Sequence, residues 1–236
     1  VLAGTEIWFY LVSGAGLVTL LLGAYLALFQ NDLKRMLAYS TISHLGLITL
    51  LFGLGTPLGE IAAVFHIINH AVFKASLFMA AGIIDHECGS RDMRKVNGLF
   101  KYMPYTAVLA MVAAAAMAGV PLLNGFLSKE MFFGETIHLR WLGEASWYWL
   151  LPSAATLAGV LAVAYSLRFI HDVFFNGEPK GLSRTPHEPP RWMKVPVEIL
   201  VVLCVAVGTF PNFTVRPALE AAAGAVLQGP LPDFSL

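Results

Sequence analysis

Three titratable side chains lie at regular spacing in a long apolar stretch of the chain. His66, His70 and Lys74 are each four residues apart, so an α-helix would place them on one stripe with about 6 Å between levels. A charge at the centre of a bilayer costs roughly 2.5–3.5 kcal/mol on insertion scales, so such groups need a hydrated or paired environment. Histidine titrates near neutrality, and a buried lysine responds strongly to its surroundings. The stripe indicates a proton relay inside a membrane.

Further polar groups extend this stripe towards both ends of its helix and into the preceding one. On a helical wheel, Glu60 and Asp85 fall within about 40° of Lys74. His44 lies in the preceding apolar segment, where it can feed the relay, and Lys34 lies near the start of that segment. We predict that Lys34, Glu60 and Asp85 form an entry or gate. The alternative is that each histidine only satisfies a buried hydrogen bond.

The HxxxH spacing also suggests a metal site, which the neighbouring residues do not support. A zinc-protease helix needs Glu directly after the first histidine, and this sequence has Ile67 there. Cys88 and Cys204 belong to no CxxC or CxxH spacing. We predict no metal and no cofactor, because no nicotinamide, flavin or quinone site is recognisable.

Composition restricts the class of protein. Of 236 residues, 57% are hydrophobic and 13% are charged, about half the charged share of a soluble domain. Lys plus Arg and Asp plus Glu are 15 each, so there is no basic excess for nucleic acid. An ordinary soluble enzyme and a nucleic-acid binder are excluded.

The apolar segments are long enough to cross a bilayer, which needs about 20 residues of helix. We predict an all-α polytopic membrane protein whose membrane domain covers residues 1–212, followed by a semi-polar tail at 213–236. The six predicted transmembrane segments are 6–30, 36–55, 59–84, 104–138, 146–175 and 193–212.

The fourth segment, 104–138, is too long for one crossing and contains Gly119, Pro121 and Gly125. A single crossing collects most of the basic residues on one face, which the positive-inside rule makes cytoplasmic, whereas the opposite links hold only Arg140. We therefore predict one discontinuous helix in a cell-membrane protein. The basic residues on the first face are Lys34, Arg35, Arg91, Arg94, Lys95, Lys101, Lys180, Arg184 and Arg191.

Lys129 and Glu130 come shortly after the predicted break, and we predict that both belong to the proton pathway. Helix breaks are tolerated in membranes where the freed backbone groups face protein or a wet cavity, and transporters use them to build ion sites. We expect unpaired carbonyl groups at the break to hold water next to the Lys129 amine. The alternative is a purely structural pair between Lys129 and Glu130.

Three stretches carry a resemblance to a known family: NDLKRMLAYSTISHLG, HIINHAVFKASLFMAAGIIDHE and PLLNGFLSKEMFF. They resemble the proton-conducting, antiporter-like membrane subunits of respiratory complex I and of Mrp-type multisubunit cation/proton antiporters. The stretches AGIIDHECGSRDMRKVNGL and GFLSKEM are most similar to the large A subunits of the Mrp type, with the L subunit of complex I as the next alternative.

The resemblance implies two inverted repeats, each with a broken helix, of which this chain is the second repeat and the helix that follows. It implies that Lys129 is the broken-helix lysine, that His66, His70 and Lys74 form the central relay, and that Lys34 is the lysine at the start of the preceding helix. The partner repeat is missing from this sequence, so we expect a piece of a longer chain that cannot pump alone.

The resemblance implies a secondary-transporter subunit in which protons move along His44, His70, Lys74 and Lys129, coupled to Na⁺ export with other membrane subunits. One alternative couples this path to quinone reduction in complex I or to a related membrane-bound hydrogenase. A second is a structural assembly subunit with no ion path. A third is an intramembrane hydrolase, which the missing HExxH and GxSxG motifs disfavour.

Overall fold

The computed structural model describes residues 5–138, 149–227, 232 and 234, and helices make up most of this part of the chain. Within it, five helices are long and apolar enough to cross a membrane, and Pro104–Ala118 is a shorter apolar helix. The longer helices are α1 Glu6–Leu28, α2 Leu33–Leu54, α3 Pro57–Cys88, α4 Pro104–Ala118, α5 Asn124–His138, α6 Leu150–Phe175, α7 Arg191–Thr209 and α8 Arg216–Leu227.

Each predicted segment is confirmed as helical over most of its described length, although the first helix ends at Leu28 rather than at residue 30 and α7 ends at Thr209 rather than at residue 212. The fourth segment is divided into α4 and α5. Arg140 and residues 146–148 of the predicted fifth segment lie outside the described residues. The predicted tail contains α8, whose buried Leu219 and Ala223 pack in one apolar cluster with Ile61 and Phe65 of α3.

Local capping explains why two helices extend beyond their predicted bounds. α2 begins at Leu33 rather than residue 36, because the Asp32 side chain accepts a hydrogen bond of 2.9 Å from the Arg35 backbone N–H. At the start of α3 the Thr56 hydroxyl accepts one of 3.0 Å from the Gly59 N–H. α3 continues to Cys88 and ends at Gly89, whose φ of 65° is in the left-handed region.

Glycines allow α1 and α2 to lie against each other. A Cβ atom at Gly16 would collide with the Leu50 backbone nitrogen, and one at Gly46 would collide with that of Leu20. Small residues at such contacts let helix backbones approach closely. This close packing fixes the position of α2, which carries His44.

The basic links meet on one face, as the charge distribution predicted. Arg91 forms a 2.5 Å ion pair with Asp32, and Lys101 forms one of 2.5 Å with Glu178. These two contacts join the link between α1 and α2, the link between α3 and α4, and the link between α6 and α7. The three predicted cytoplasmic links are therefore adjacent.

Pairing with Arg94 stabilises the ionised form of Asp92 on this face. The Arg94 guanidinium donates two hydrogen bonds, of 3.0 and 2.7 Å, to the carboxylate of Asp92. They lower the pKa of Asp92 to about 2, because hydrogen bonds to the charged form favour it. The pair therefore remains charged throughout the physiological pH range.

The loop 176–190 ties the ends of two membrane helices together on this face. The Glu188 carboxylate accepts hydrogen bonds from the backbone N–H groups of Tyr105 and Thr106, at 2.7 and 3.0 Å, and so caps the start of α4. One residue earlier, His187 lies 3.2 Å from the carboxylate of Glu87 at the end of α3. The loop therefore sets the position of the first half of the broken helix relative to α3.

The opposite end of the broken helix reaches the turn between α2 and α3. There the Thr56 hydroxyl donates a 2.6 Å hydrogen bond to the carboxylate of Glu135, which lies near the end of α5. Because α4 starts on the face of the basic links and α5 ends on the other, the two halves together cross once. The predicted single, interrupted crossing is confirmed.

Candidate functional site

Buried hydrogen-bonding side chains form a continuous line across four helices. The Nδ1 atom of His44 lies 2.9 Å from Nε2 of His66, and Nδ1 of His66 lies 2.9 Å from the Ser128 hydroxyl. At the other end, the Tyr165 hydroxyl lies 3.3 Å from Nε2 of His44. Each contact shares one proton, whose direction depends on the tautomers of the rings. The line therefore joins α6 to α5 through α2 and α3.

Helix length accounts for the meeting of the two histidines. His44 lies ten residues before the end of α2 at Leu54, and His66 lies nine residues after the start of α3 at Pro57. At 1.5 Å per residue, both are about 15 Å from the short turn that joins these antiparallel helices. His44 therefore lies next to His66 and the predicted stripe.

His70 lies beside this line without a direct hydrogen bond to it. Its ring centroid is 5.3 Å from that of His44 and 6.2 Å from that of His66, in agreement with the predicted spacing along the stripe. Its Nε2 atom is buried and has no hydrogen-bond partner among the described residues. It is placed between the histidine pair and Lys74, one helical turn further along α3.

Lys74 is buried, with 4% of its surface exposed, and its hydrogen-bond partners carry no charge. Its amine donates to the Leu37 carbonyl at 3.3 Å, to the Ser40 hydroxyl, and to the Met117 sulfur at 3.3 Å. These neutral partners do not offset an ammonium, so the charge of Lys74 is sensitive to other charges nearby.

Lys129 binds the end of the first half-helix. Its amine donates hydrogen bonds to the backbone carbonyls of Met117, at 2.7 Å, and Ala118, at 3.0 Å. These are last-turn carbonyls of α4, where the helix dipole favours a positive charge. The expectation of unpaired carbonyls beside Lys129 is wrong at these two positions, since the amine itself binds them.

Met117 connects the two lysines. Its sulfur accepts from Lys74, and its backbone carbonyl accepts from Lys129. Both amines are thus held by one residue of the last turn of α4. A change of charge on one lysine therefore acts on the other over a short distance in a low-dielectric environment.

The sequence of the break makes room for this arrangement. Gly119 has φ 90° and Leu122 has φ 69°, both in the left-handed region, so the chain turns sharply out of the helix. A Cβ atom at Gly119 would lie 2.9 Å from the Lys129 side chain, and one at Gly125 would collide with the Ala116 carbonyl. Small residues are therefore required on both sides of the break.

An open cavity of about 600 Å³ borders Lys129, and none of the described residues that line it is a histidine. Glu130 is exposed, and its side chain lines this cavity with that of Lys129. The hydrogen bonds of the Lys129 amine go to backbone carbonyls, so the two neighbours do not form the structural pair considered as an alternative. The other lining residues are Ala118, Gly119, Phe126, Phe133, Thr156, Gly159, Val160 and Val163.

The predicted gate residues separate into two groups. Lys34 and Asp85 form a 2.7 Å ion pair between the start of α2 and the end of α3, on the face of the basic links. Glu60 lies half-buried near the opposite end of α3. Glu135, which was not identified from the sequence, lies at that end and bonds to Thr56.

Tyr165 and Met117 were also not identified from the sequence. Tyr165 is fully buried, although it stands in an otherwise ordinary apolar segment, and only its polar hydroxyl distinguishes it there. Nothing in the sequence distinguishes Met117, because it binds Lys129 through its backbone carbonyl rather than through its side chain.

Comparison with known proteins places the site in a family. Residues 2–161 match the family model described as NADH:quinone oxidoreductase/Mrp antiporter, transmembrane region. The chain belongs to this family. The buried histidines and lysines all lie within the matched region, and Tyr165 lies shortly after its end.

Curated relatives in the family are named as antiporter subunits. The chain is 63% identical over its whole length to the probable A/B subunit of a K⁺/H⁺ antiporter of Rhizobium meliloti, of which it covers 23%. It is 40% identical, over 94% of its length, to the A subunit of the Na⁺/H⁺ antiporter of Bacillus subtilis, of which it covers 30%. The chain thus spans about a quarter of the length of these relatives.

Solved structures show the same fold. The Mrp complex of Dietzia sp. matches 99% of the chain, and a quarter of the matched subunit, with a TM-score of 0.84 and 38% identity. Respiratory complex I of Thermus thermophilus matches 94% of the chain, and 45% of the matched subunit, with a TM-score of 0.76 and 26% identity. The predicted antiporter-like membrane fold is confirmed.

The break generates a prediction about stability. Gly125→Ala places a methyl group against the Ala116 carbonyl, so we expect the protein to lose about 1–3 kcal/mol of stability, as in other overpacked cores. The control is Gly134→Ala on the same helix, where a Cβ atom meets nothing within 4 Å and alanine favours the helix. Thermal unfolding of the full complex in detergent measures both. Equal melting temperatures for the two variants would contradict the close contact at the break.

Proposed function

We propose that this chain is the second proton-conducting half of the ion-translocating subunit of a multisubunit monovalent cation/proton antiporter in the cell membrane. Protons would move through His44, His66, His70, Lys74 and Lys129. The observation that carries the proposal is the buried line of hydrogen bonds, which ends at Ser128 directly before Lys129. Ionisable groups are costly inside a membrane, and those found there usually mark an ion or proton pathway.

Each group in this path can both accept and release a proton. A proton that reaches a neutral imidazole on one nitrogen is released from the other, so the contact between His44 and His66 passes charge without moving either ring. Lys74 and Lys129 exchange protons with the histidines as ammonium and amine. Because Met117 holds both lysines, a positive charge on one disfavours a charge on the other. A proton that arrives at Lys74 therefore favours release of the proton from Lys129.

The two ends of the path would be controlled by different groups. The ion pair of Lys34 and Asp85 closes the face of the basic links, where it holds the ends of α2 and α3 together. On the other side, the cavity next to Lys129 leads the proton to Glu130. Glu60 lies at the far end of α3 and would take part in exchange on the opposite face.

The names of the relatives suggest which cation is transported and which kind of partner is needed. One is named for K⁺ and another for Na⁺, so the proposal extends to monovalent cations rather than to Na⁺ alone. Both are named as subunits, so we propose that the complete protein works with other membrane subunits in the lipid bilayer. The likeness to complex I keeps a redox-driven variant as the second candidate, in which partner subunits carry out the redox reaction.

The central test uses the full-length complex in everted membrane vesicles. Lys129→Arg keeps a positive charge but does not release its proton in this pH range, and Lys74→Ala removes the preceding amine. We expect both complexes to assemble and their cation-dependent proton flux to fall by about tenfold or more. The control is Lys101→Ala, which removes a lysine exposed on the face of the basic links.

Flux is measured as the collapse of a pH gradient after addition of Na⁺ or K⁺. Assembly is checked by recovery of the intact complex. Normal flux in assembled Lys129→Arg and Lys74→Ala complexes would contradict the proposal and favour a structural role in assembly without an ion path.

The ion pair between Lys34 and Asp85 gives a separate prediction. Asp85→Asn leaves the Lys34 amine without its ionic partner, and we expect slower flux because the two helix ends lose their electrostatic contact. The exchanged double variant, Lys34→Asp with Asp85→Lys, restores an ion pair and should return flux to within about twofold of the wild type, as double-mutant coupling predicts. If the double variant transports no faster than Asp85→Asn, the pair does not act as a gate.

A further inference from the structure

The carboxylate of Glu87, at the end of α3, lies between two histidines on the face of the basic links. Only 4% of the Glu87 side chain is exposed, and its two oxygens lie 3.0 Å from Nδ1 of His86 and 3.2 Å from Nε2 of His187. The two imidazoles are themselves exposed, with 60% and 69% of their side-chain surface accessible. Solvent on this face therefore reaches both imidazoles, whereas the carboxylate between them is shielded.

The contacts of the His187 ring determine how many protons it shares with Glu87. Its Nδ1 atom lies 3.2 Å from the backbone carbonyl of Thr185. Because a carbonyl only accepts, Nδ1 carries a hydrogen and donates it. In a neutral ring the other nitrogen, Nε2, then has a lone pair and no hydrogen. That lone pair would face a carboxylate oxygen at 3.2 Å, and the two electron-rich atoms would repel each other.

One additional proton turns this repulsion into an attraction. It lies either on Nε2 of His187, which makes an imidazolium beside an ionised Glu87, or on the carboxyl group, which then faces the lone pair of a neutral ring. In both cases the attraction is lost when the proton leaves. Imidazole is the side chain that ordinarily changes its charge between about pH 5 and 8. The contact therefore depends on pH within that range.

The other titratable groups of this region belong to types that ordinarily keep their charge state over that range. His86 is the exception, but its Nδ1 can donate to Glu87 from a neutral ring, so its contact needs no additional proton. The groups are Arg184 and Glu188 of the loop, Tyr105 of α4, Arg191 and Lys194 of α7, Asp85 and Cys88 of α3, and Lys34 of α2.

The residue that follows His187 connects this contact to the broken helix. Glu188 accepts hydrogen bonds from the backbone N–H groups of Tyr105 and Thr106, and a third, of 2.9 Å, from the Thr106 hydroxyl. These bonds hold the start of α4, whose last turn contains Met117. Because a helix is a rigid element that carries a displacement along its length, a movement of its start also acts on its end.

We propose that the contact between His187 and Glu87 is a proton-dependent latch, which is closed while it holds the shared proton and opens as the pH on the face of the basic links rises. The closed latch keeps Glu188 on the start of α4, and the open latch releases that start. The latch thus makes the position of the broken helix sensitive to pH. Its effect on transport rests on the proposed function, whereas the latch itself does not.

Hydrogen–deuterium exchange of the full-length complex follows the latch without any need for transport. In the wild type we expect the Tyr105 and Thr106 amides to lose protection by about two- to fivefold from about pH 6 to 8, after correction for intrinsic exchange rates. This is the size expected for one partly exposed ion pair. His187→Arg carries a permanent charge and should keep the protection at both pH values, and His187→Ala should lack it at both.

The matched control is His171→Ala. His171 belongs to the same face, has 67% of its side chain exposed, and lies 3.0 Å from the carboxylate of the neighbouring Asp172. It makes no contact with the loop that carries Glu188 among the described residues. We expect the exchange of this variant to depend on pH as in the wild type.

Transport is measured in everted vesicles, in which the buffer sets the pH on the face of the basic links. We expect the wild type and His187→Arg to have similar cation-dependent proton flux near pH 6. Near pH 8 the wild type should be about two- to fivefold slower than His187→Arg, because the open latch no longer fixes the start of α4. A purely structural role of His187 would change flux by the same factor at both pH values.

The outcomes separate the latch from the proposed function. Wild-type protection of the Tyr105 and Thr106 amides that is equal at both pH values overturns the latch, even if His187→Arg fails to assemble. A flux ratio between the wild type and His187→Arg that does not change with pH overturns its effect on transport. Normal flux in Lys129→Arg contradicts the proposed function instead, and the exchange measurement then still decides whether the latch exists.

Discussion

The hydrogen bonds from the Lys129 amine to the last carbonyls of α4 hold the centre of this molecule together. A helix that stops inside a membrane exposes carbonyl groups without partners, and each costs free energy there. A lysine inside a membrane is costly for the opposite reason, since its charge lacks water. In this structure the carbonyls and the lysine are each other's hydrogen-bond partners. The break supplies acceptors and a negative dipole end, and the lysine supplies the donors.

The rest of the fold positions this contact. Glu188 caps the start of α4 on one face, and the hydrogen bond between Thr56 and Glu135 holds the end of α5 on the other. Because both ends are fixed, the break stays at the depth where α3 presents His66 to Ser128. The helix termini thus determine the geometry of a site that lies far from them.

Much of the site was predictable because a buried charge is conspicuous in an apolar sequence. His66, His70 and Lys74 stand out by their spacing, and Lys129 by its place after Gly119 and Pro121. Tyr165 could not be assigned in this way, since it meets His44 only through the packing of α6 on α2, 121 positions apart in the sequence. The sequence placed carbonyl groups near Lys129, but it could not show that the amine binds those of Met117 and Ala118 directly, because backbone carbonyls have no signature in residue types.

The central claim is that the two buried lysines change protonation during transport. The most direct test is ¹⁵N solid-state NMR of the full complex with labelled lysine, in which the Lys74→Arg and Lys129→Arg variants assign the two buried amines. The account predicts that both resonances shift between the ammonium and amine forms over the pH range in which the complex transports. Resonances that stay in the ammonium form throughout that range, in a complex that still transports, would contradict it.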